Sequence, residues 1–180
     1  MRKLVSILAW LMVFPSALLA CVPKLAQGTP MPKQDFGFRF EFGSCFTDVL
    51  DTFDGTFTKD LIFDPAVTIP FRLSDEQMIA VYGKMIEIDF FGYPDVFAIP
   101  TPRSGLLGIQ TPAERYHIVV RNGGMSKALD WIDEIREPWS REAENLSSLF
   151  DMIKEMISVS PEYRQLPERN GGCAQGFDAR

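Results

Sequence analysis

The chain has 180 residues, of which 46% are hydrophobic and 12% aromatic, and its formal net charge at pH 7 is −6. This composition excludes a disordered chain, and the length is that of one ordinary domain with a short extension. The negative charge, without a dense basic cluster, excludes nucleic acid as a partner. The 15 phenylalanines predict a core built largely from aromatic side chains.

The first 20 residues have the pattern of an export signal. Two basic residues precede an apolar run over residues 4–19. The run closes with Leu-Leu-Ala-Cys at residues 18–21, which resembles the lipobox of bacterial lipoproteins: Leu, any residue, Ala or Gly, then Cys. The resemblance implies that the signal peptide, residues 1–20, is removed and that Cys21 carries a diacylglycerol.

Two other interpretations of this leader fit less well. Ordinary secretory cleavage favours a small residue where Leu18 stands, and an uncleaved transmembrane helix needs about 20 apolar residues, whereas this run is shorter and contains Pro15. We therefore predict a mature chain of 160 residues, whose net charge becomes −8 because two basic residues are lost. Acyl chains on Cys21 would hold it in the cell membrane or outer membrane, with the domain outside the cytoplasm.

The cysteines beyond the anchor raise a second question. An exported protein occupies a compartment where disulfides persist, so Cys45 and Cys173 are candidates for a disulfide. Two unlinked thiols are the alternative, because the separation of the two residues in space decides the matter.

The mature chain divides into three predicted segments. Residues 21–34 contain the lipidated cysteine, three prolines and one glycine, which indicates a partly extended tether. Residues 35–168 form a single domain. Residues 169–180 form a tail that frays unless a disulfide at Cys173 holds it to the domain.

Alternating apolar and polar residues predict strands, beginning with an aromatic run of strict period two at residues 36–42. Asp54-Gly55 and Asn122-Gly123 are typical of tight hairpin turns, in which both central residues take positive φ. The second turn has two residues or more, since Gly124 follows. Strands are expected at residues 36–42, 46–53, 56–63, 67–73, 115–121 and 125–131.

Two helices complete the predicted domain. Ser74 followed by Gln77 forms a capping box, and this helix should stop near Gly92. The second helix follows Ser140 and has one apolar side. Residues 94–114 contain four prolines and indicate an irregular loop or two short strands. The fold class is therefore α+β: an antiparallel sheet of hairpins packed on one face by two helices.

The sequence predicts no catalytic, metal or cofactor site. Asp48, Asp51 and Asp54 lack the spacing of a cation-binding loop. Strand residues three apart also point to opposite faces, so these carboxylates would not converge on one ion. Solvated charges at a strand edge, or charges in a turn, are favoured. His117, the sole histidine, lacks partners for a zinc site, and no Gly-x-Ser-x-Gly elbow exists. His117 is interpreted as a strand residue that is either hydrogen-bonded or exposed. Trp131 and Trp139 fit buried or interface positions equally.

Four motifs, at residues 52–59, 73–76, 88–94 and 161–167, resemble those of small bacterial lipoproteins for which no activity is known. They read Thr-Phe-Asp-Gly-Thr-Phe-Thr-Lys, Leu-Ser-Asp-Glu, Ile-Asp-Phe-Phe-x-Tyr-Pro and Pro-Glu-Tyr-Arg-x-Leu-Pro. They are turn and core residues, so the resemblance implies a fold rather than a mechanism.

These observations favour a lipid-anchored envelope lipoprotein with a non-enzymatic role. It would bind an envelope protein or a ligand through its sheet face or residues 94–114, with no cofactor. One alternative is an envelope hydrolase that uses the neighbouring carboxylates Glu87, Asp89 and Asp95 as an acid and base pair. A structural subunit of a larger envelope complex is the other.

Overall fold

A computed structural model describes residues 31–99, 108–137 and 140–172. They form an α+β fold, as predicted, with a seven-stranded sheet and three α-helices. The strands are β1 (Gly37–Gly43), β2 (Asp48–Asp51), β3 (Thr56–Leu61), β4 (Asp64–Pro70), β5 (Val96–Phe97), β6 (Gly108–Asn122) and β7 (Met125–Glu137). The helices are α1 (Asp75–Glu87), α2 (Arg141–Ser158) and α3 (Pro161–Arg164), with a 3-10 turn at Phe90–Gly92. The predicted signal peptide, Cys21, Trp139 and Cys173 lie outside the described residues.

The sheet is mixed rather than antiparallel. Its strand order is β4-β3-β2-β1-β6-β7-β5. Neighbouring strands are antiparallel up to β7, but β5 pairs in parallel with β7 through Val96 and Phe97. The prediction of an antiparallel sheet is wrong at this edge. Two residues are too few to show a strand period, and they lie in a segment whose prolines indicate a loop.

The first predicted hairpin is confirmed, but its turn is longer than two residues. Asp51 of β2 pairs with Thr56 of β3, so four residues form the loop. Gly55 takes a left-handed φ of 67°, whereas Asp54 has no positive φ. In this longer loop the aspartate avoids the backbone conformation that a two-residue Asp-Gly turn would require of it.

The second hairpin, between β6 and β7, has a two-residue turn made of Gly123 and Gly124. Asn122 pairs with Met125, and the two glycines have φ of 60° and 81°. Both positions need a residue without a Cβ, because positive φ is strained for L side chains. A Cβ on Gly123 would also lie within 2 Å of the Lys33 side chain. The turn is therefore displaced by one residue from the predicted Asn-Gly pair.

α1 begins where the capping box predicts. The Ser74 hydroxyl accepts a hydrogen bond from the Gln77 amide at 3.2 Å, and the Gln77 side chain accepts from the Ser74 amide at 2.8 Å. The helix ends at Glu87, before the predicted Gly92. Asp89 interrupts it with a left-handed φ of 54°, and the 3-10 turn continues the chain.

α2 is capped by Ser140, whose hydroxyl accepts from the Ala143 amide at 3.2 Å. Its apolar side is buried, as predicted. The ring of Phe150 lies 5.0 Å from that of Phe40 in β1 and 4.8 Å from that of Tyr116 in β6. These contacts join α2 to the middle of the sheet. None of the helices in the three described ranges combines the length and apolar composition needed to cross a bilayer.

Burial alternates along the central strands, because successive side chains point to opposite faces. The fully buried set is Phe38, Phe40, Ile118, Val120 and Leu129. The residues between them are partly or largely exposed. We call the face that carries Arg39, Glu41, His117 and Asp130 the polar face.

Candidate functional site

Three titratable side chains form a row across the polar face. Glu41 of β1 pairs directly with His117 of β6, and His117 pairs directly with Asp130 of β7. Direct cross-strand partners lie on the same face within contact distance. His117 Nδ1 is 2.7 Å from Asp130 Oδ1, and these side chains are 37% and 56% exposed. The histidine therefore lies between two carboxylates at a partly open surface.

Arg39 extends this row. Its Nε donates to Glu41 at 3.0 Å, and its Nη1 donates to Asp51 at 3.1 Å. The hydrogen bond that Arg39 donates to Glu41 is the main reason that the pKa of Arg39 is raised. One guanidinium thus serves two carboxylates, and the Glu41 carboxylate is held in a fixed position beside His117.

A cavity of about 490 Å³ opens beside the row. It crosses the sheet from the end of β1, over β6 and β7, to β5. Glu41, His117 and Asp130 line it together with Arg115 and Glu134. Its volume lies in the range of small-molecule sites, roughly 300 to 1,000 Å³. Aliphatic and aromatic side chains complete its walls, among them Phe46, Val96 and Ile132.

The hydrogen bond to Asp130 determines what His117 can do. It fixes the ring and occupies Nδ1, which leaves Nε2 for a ligand. An acid–histidine pair activates a nucleophile of the protein itself when a hydroxyl or thiol lies within hydrogen-bond reach of the histidine. In the described part of the chain His117 has no hydrogen bond to such a group.

No protein-family model matches this chain, and no curated protein matches it significantly. The properties of the site therefore follow from its own residues. Among residues 31–99, 108–137 and 140–172, no three His, Cys, Asp or Glu side chains are grouped to hold a metal ion.

The three candidate carboxylates of the alternative hydrolase have different surroundings. Glu87 accepts from Lys84 at 2.9 Å, and Asp95 accepts from Lys127. Asp89 occupies the left-handed position after α1. None of the three lines the cavity on the polar face. Their positions give the hydrolase interpretation no support.

A second polar cluster lies at the edge of the core around Tyr116. Its hydroxyl donates to Glu114, and Lys154 of α2 lies 3.2 Å from Glu114 and 3.3 Å from the Tyr116 hydroxyl. Burial, and then the Glu114 hydrogen bond, raises the pKa of Tyr116. The contacts of Lys154 with Glu114 and Tyr116 join α2 to β6. We assign this cluster a structural role.

The interpretation of Asp51 as a solvated charge is wrong. Its side chain is buried, and both carboxylate oxygens are satisfied. One oxygen accepts from Arg39, and the other accepts from the amides of Phe53 and Asp54 at 2.9 and 3.1 Å. The last two bonds shape the β2–β3 turn, so this aspartate has a turn role with little contact with solvent.

Asp48 is also buried, which again contradicts a solvated charge. It is 2% exposed, and it accepts hydrogen bonds from the Arg169 guanidinium and from the Asp60 amide. Burial raises its pKa, although the Arg169 hydrogen bond opposes this shift. Because Arg169 is 121 residues away along the chain, local sequence patterns cannot reveal this ion pair.

The residues that precede Cys173 lie against the end of the sheet where Cys45 is found. Arg169 lies 3.7 Å above the centre of the Phe46 ring, and Asn170 forms a bridge with Ile62. Cys45 is disulfide-bonded. Its partner lies outside the described residues, so the pairing with Cys173 stays a prediction.

Trp131, one of the two tryptophans considered for an interface, is buried. It is 2% exposed and packs against Phe97, Tyr116 and Phe150, with ring centres 5.4 to 6.3 Å away.

One signal in the sequence identifies part of this site. Once the turn between β6 and β7 is located at Gly123-Gly124, counting back along both strands pairs His117 with Asp130. No comparable local signal places Glu41 beside them, because β1 and β6 are far apart along the chain.

Proposed function

We propose that this chain is a lipid-anchored lipoprotein of the cell envelope whose domain binds a small ligand on the polar face, with no catalytic step. One observation carries the proposal: an apolar leader that closes in Leu-Leu-Ala-Cys is joined to a domain with a ligand-sized cavity. The fixed His117 ring and the mixed polar and apolar walls support a binding role for that cavity.

We also infer that α1 and α2 cover the same apolar face of the sheet. The contacts of Phe150 with Phe40 and Tyr116 support this arrangement for α2. For α1, the fully buried Val81 and Met85 belong to the same core cluster. Helices on one face alone would leave the polar face accessible to a ligand.

The anchor predicts that replacing Cys21 with Ala releases the protein from membranes. Without its thiol, residue 21 cannot accept a diacylglycerol, so the durable attachment that several acyl chains give is lost. We expect the wild type to sediment with membranes and the variant to move into the soluble or secreted fraction, or to accumulate with its leader uncleaved. Immunoblotting of fractionated cells, with the size of each band, measures this.

Cys45→Ala is the matched control, because it also removes one cysteine but leaves residue 21 intact. It should stay with the membrane. If Cys21→Ala is processed to the mature size and still sediments with membranes like the wild type, lipid anchoring through Cys21 is wrong.

A second prediction concerns disulfide pairing. Peptide mapping of the non-reduced mature protein should recover a peptide in which Cys45 is linked to Cys173. Cys21 should appear only in an N-terminal peptide that carries acyl chains. A link between Cys45 and Cys21 would contradict both the pairing and the lipid anchor, since a cysteine in a disulfide has no thiol to acylate.

A further inference from the structure

We propose that the ligand of the polar-face cavity is a small amphipathic molecule whose polar end is an ammonium group. This inference rests on the proposed binding function and specifies its ligand. It follows from the charges that line the cavity, the exposed aliphatic side chains beside one of those charges, and the cavity volume.

Carboxylates outnumber cations in this cavity. Glu41, Asp130 and Glu134 line it, whereas Arg115 is the one guanidinium among the described lining residues. Including the neighbouring Arg39 does not change this excess of negative charge, because Arg39 also forms an ion pair with the buried Asp51. A positively charged group inside the cavity would offset this excess, and a negatively charged group would be repelled by it.

Two exposed aliphatic side chains flank one of the carboxylates. Val96 of β5 pairs directly with Asp130, and Ile132 follows two residues later in β7, on the same face. They are 72% and 49% exposed. Both side chains therefore lie roughly 5 to 8 Å from Asp130. A ligand whose ammonium group pairs with Asp130 can lay an apolar body across Val96 and Ile132.

The cavity volume limits the size of this ligand. About 490 Å³ is enough for a small organic molecule with a short alkyl or aryl body, and it is too little for a folded partner or a long polymer. The apolar wall would release ordered water when such a body binds, and the carboxylates would select the charge of the head group.

Three linear probes with six carbon atoms each test the charge selection: hexylammonium, hexanoate and hexanol. The mature lipidated protein, held in phosphatidylcholine nanodiscs, is titrated with each probe by calorimetry, with empty nanodiscs as the blank. We expect hexylammonium to bind more tightly than the other two, and its affinity to fall as salt is raised.

Variants of the lining residues locate the binding. Glu134→Gln should weaken hexylammonium binding about fivefold, the upper range for one partly exposed ion pair. Ile132→Ser should weaken the binding of all three probes. Glu144→Gln, at an exposed position of α2, is the matched control and should leave every affinity unchanged.

The possible failures are distinguishable. If hexanoate or hexanol binds as tightly as hexylammonium and Ile132→Ser weakens that binding, the ammonium inference is wrong, but the cavity remains a binding site. If hexylammonium binding is equal in the wild type and Glu134→Gln, the inference is also wrong. Absence of binding by all three probes overturns the inference and removes the cavity from the proposed function, whereas the anchor is decided separately by Cys21→Ala.

Discussion

Replacing Arg169 with Ala is expected to lower the free energy of unfolding by about 3 kcal/mol at pH 7, because it leaves the buried Asp48 carboxylate without its main cation. Asp48 is 2% exposed, so water cannot replace the lost hydrogen bond. The variant also loses a 2.9 Å hydrogen bond to the Asp60 carbonyl and the contact with the Phe46 ring. Lys59 remains close enough to lower the pKa of Asp48, which keeps the loss near the lower end for buried pairs.

The loss of unfolding free energy in Arg169→Ala should depend on pH, in a direction given by the pKa of Asp48. Burial raises the pKa of this carboxyl in the folded protein, so the folded state holds the proton more tightly than the unfolded state. The stability that Asp48 contributes is therefore full below the ordinary aspartate pKa of about 3.9 and is lost as the pH rises through the folded-state pKa. Without Arg169 that pKa rises further, so the difference in stability between variant and wild type should be smaller in acid than at neutral pH.

Urea unfolding followed by tryptophan fluorescence at pH 4 and pH 7 measures this difference. Arg164→Ala is the matched control, because Arg164 is exposed, and it should change stability by less than about 0.5 kcal/mol. The double variant Arg169→Ala with Asp48→Asn should recover part of the loss at pH 7, since residue 48 then carries no buried charge. An equal loss at both pH values would mean that Arg169 acts by packing on Phe46 instead of through the Asp48 charge.

Where a structural feature depends on residues close together in the chain, the sequence predicted it well. The capping box at Ser74 and Gln77 gave the first residue of α1, because both hydrogen bonds form within one turn. The apolar side of α2 gave its buried residues, since helical periodicity requires only local order. Both hairpins were placed correctly, although the register of each turn differed by one or two residues.

Features that depend on distant pairing were missed. The row of Glu41, His117 and Asp130 forms because β1 lies beside β6. This pairing brings together Glu41 and His117, which are 76 positions apart in the chain. The burial of Asp48 needs Arg169, and the parallel β5 needs the edge of β7. In each case the residues have no local signal of their partner. Single aspartates or short apolar pairs therefore resemble ordinary surface positions until the register is known.

Replacing Phe150 with Ala is expected to cost about 4 kcal/mol of unfolding free energy, because it opens a cavity between α2 and the sheet. The side chain is fully buried, and its ring contacts Phe40, Tyr116 and Trp131 from three strands. Phe150→Leu, which keeps most of the volume, should cost less than about 1.5 kcal/mol. Urea unfolding at pH 7 measures both losses.

Phe63→Ala is the matched control, because it removes the same ring from a side chain that is 78% exposed, and its effect should stay within about 0.5 kcal/mol. If Phe150→Ala cost no more than this control, α2 would not pack on the sheet as described, and a helix layer on the apolar face would be wrong. A loss near 4 kcal/mol with an unchanged dependence on urea would support that layer. It would also support the consequence on which the proposed ligand depends, which is that the polar face is left open.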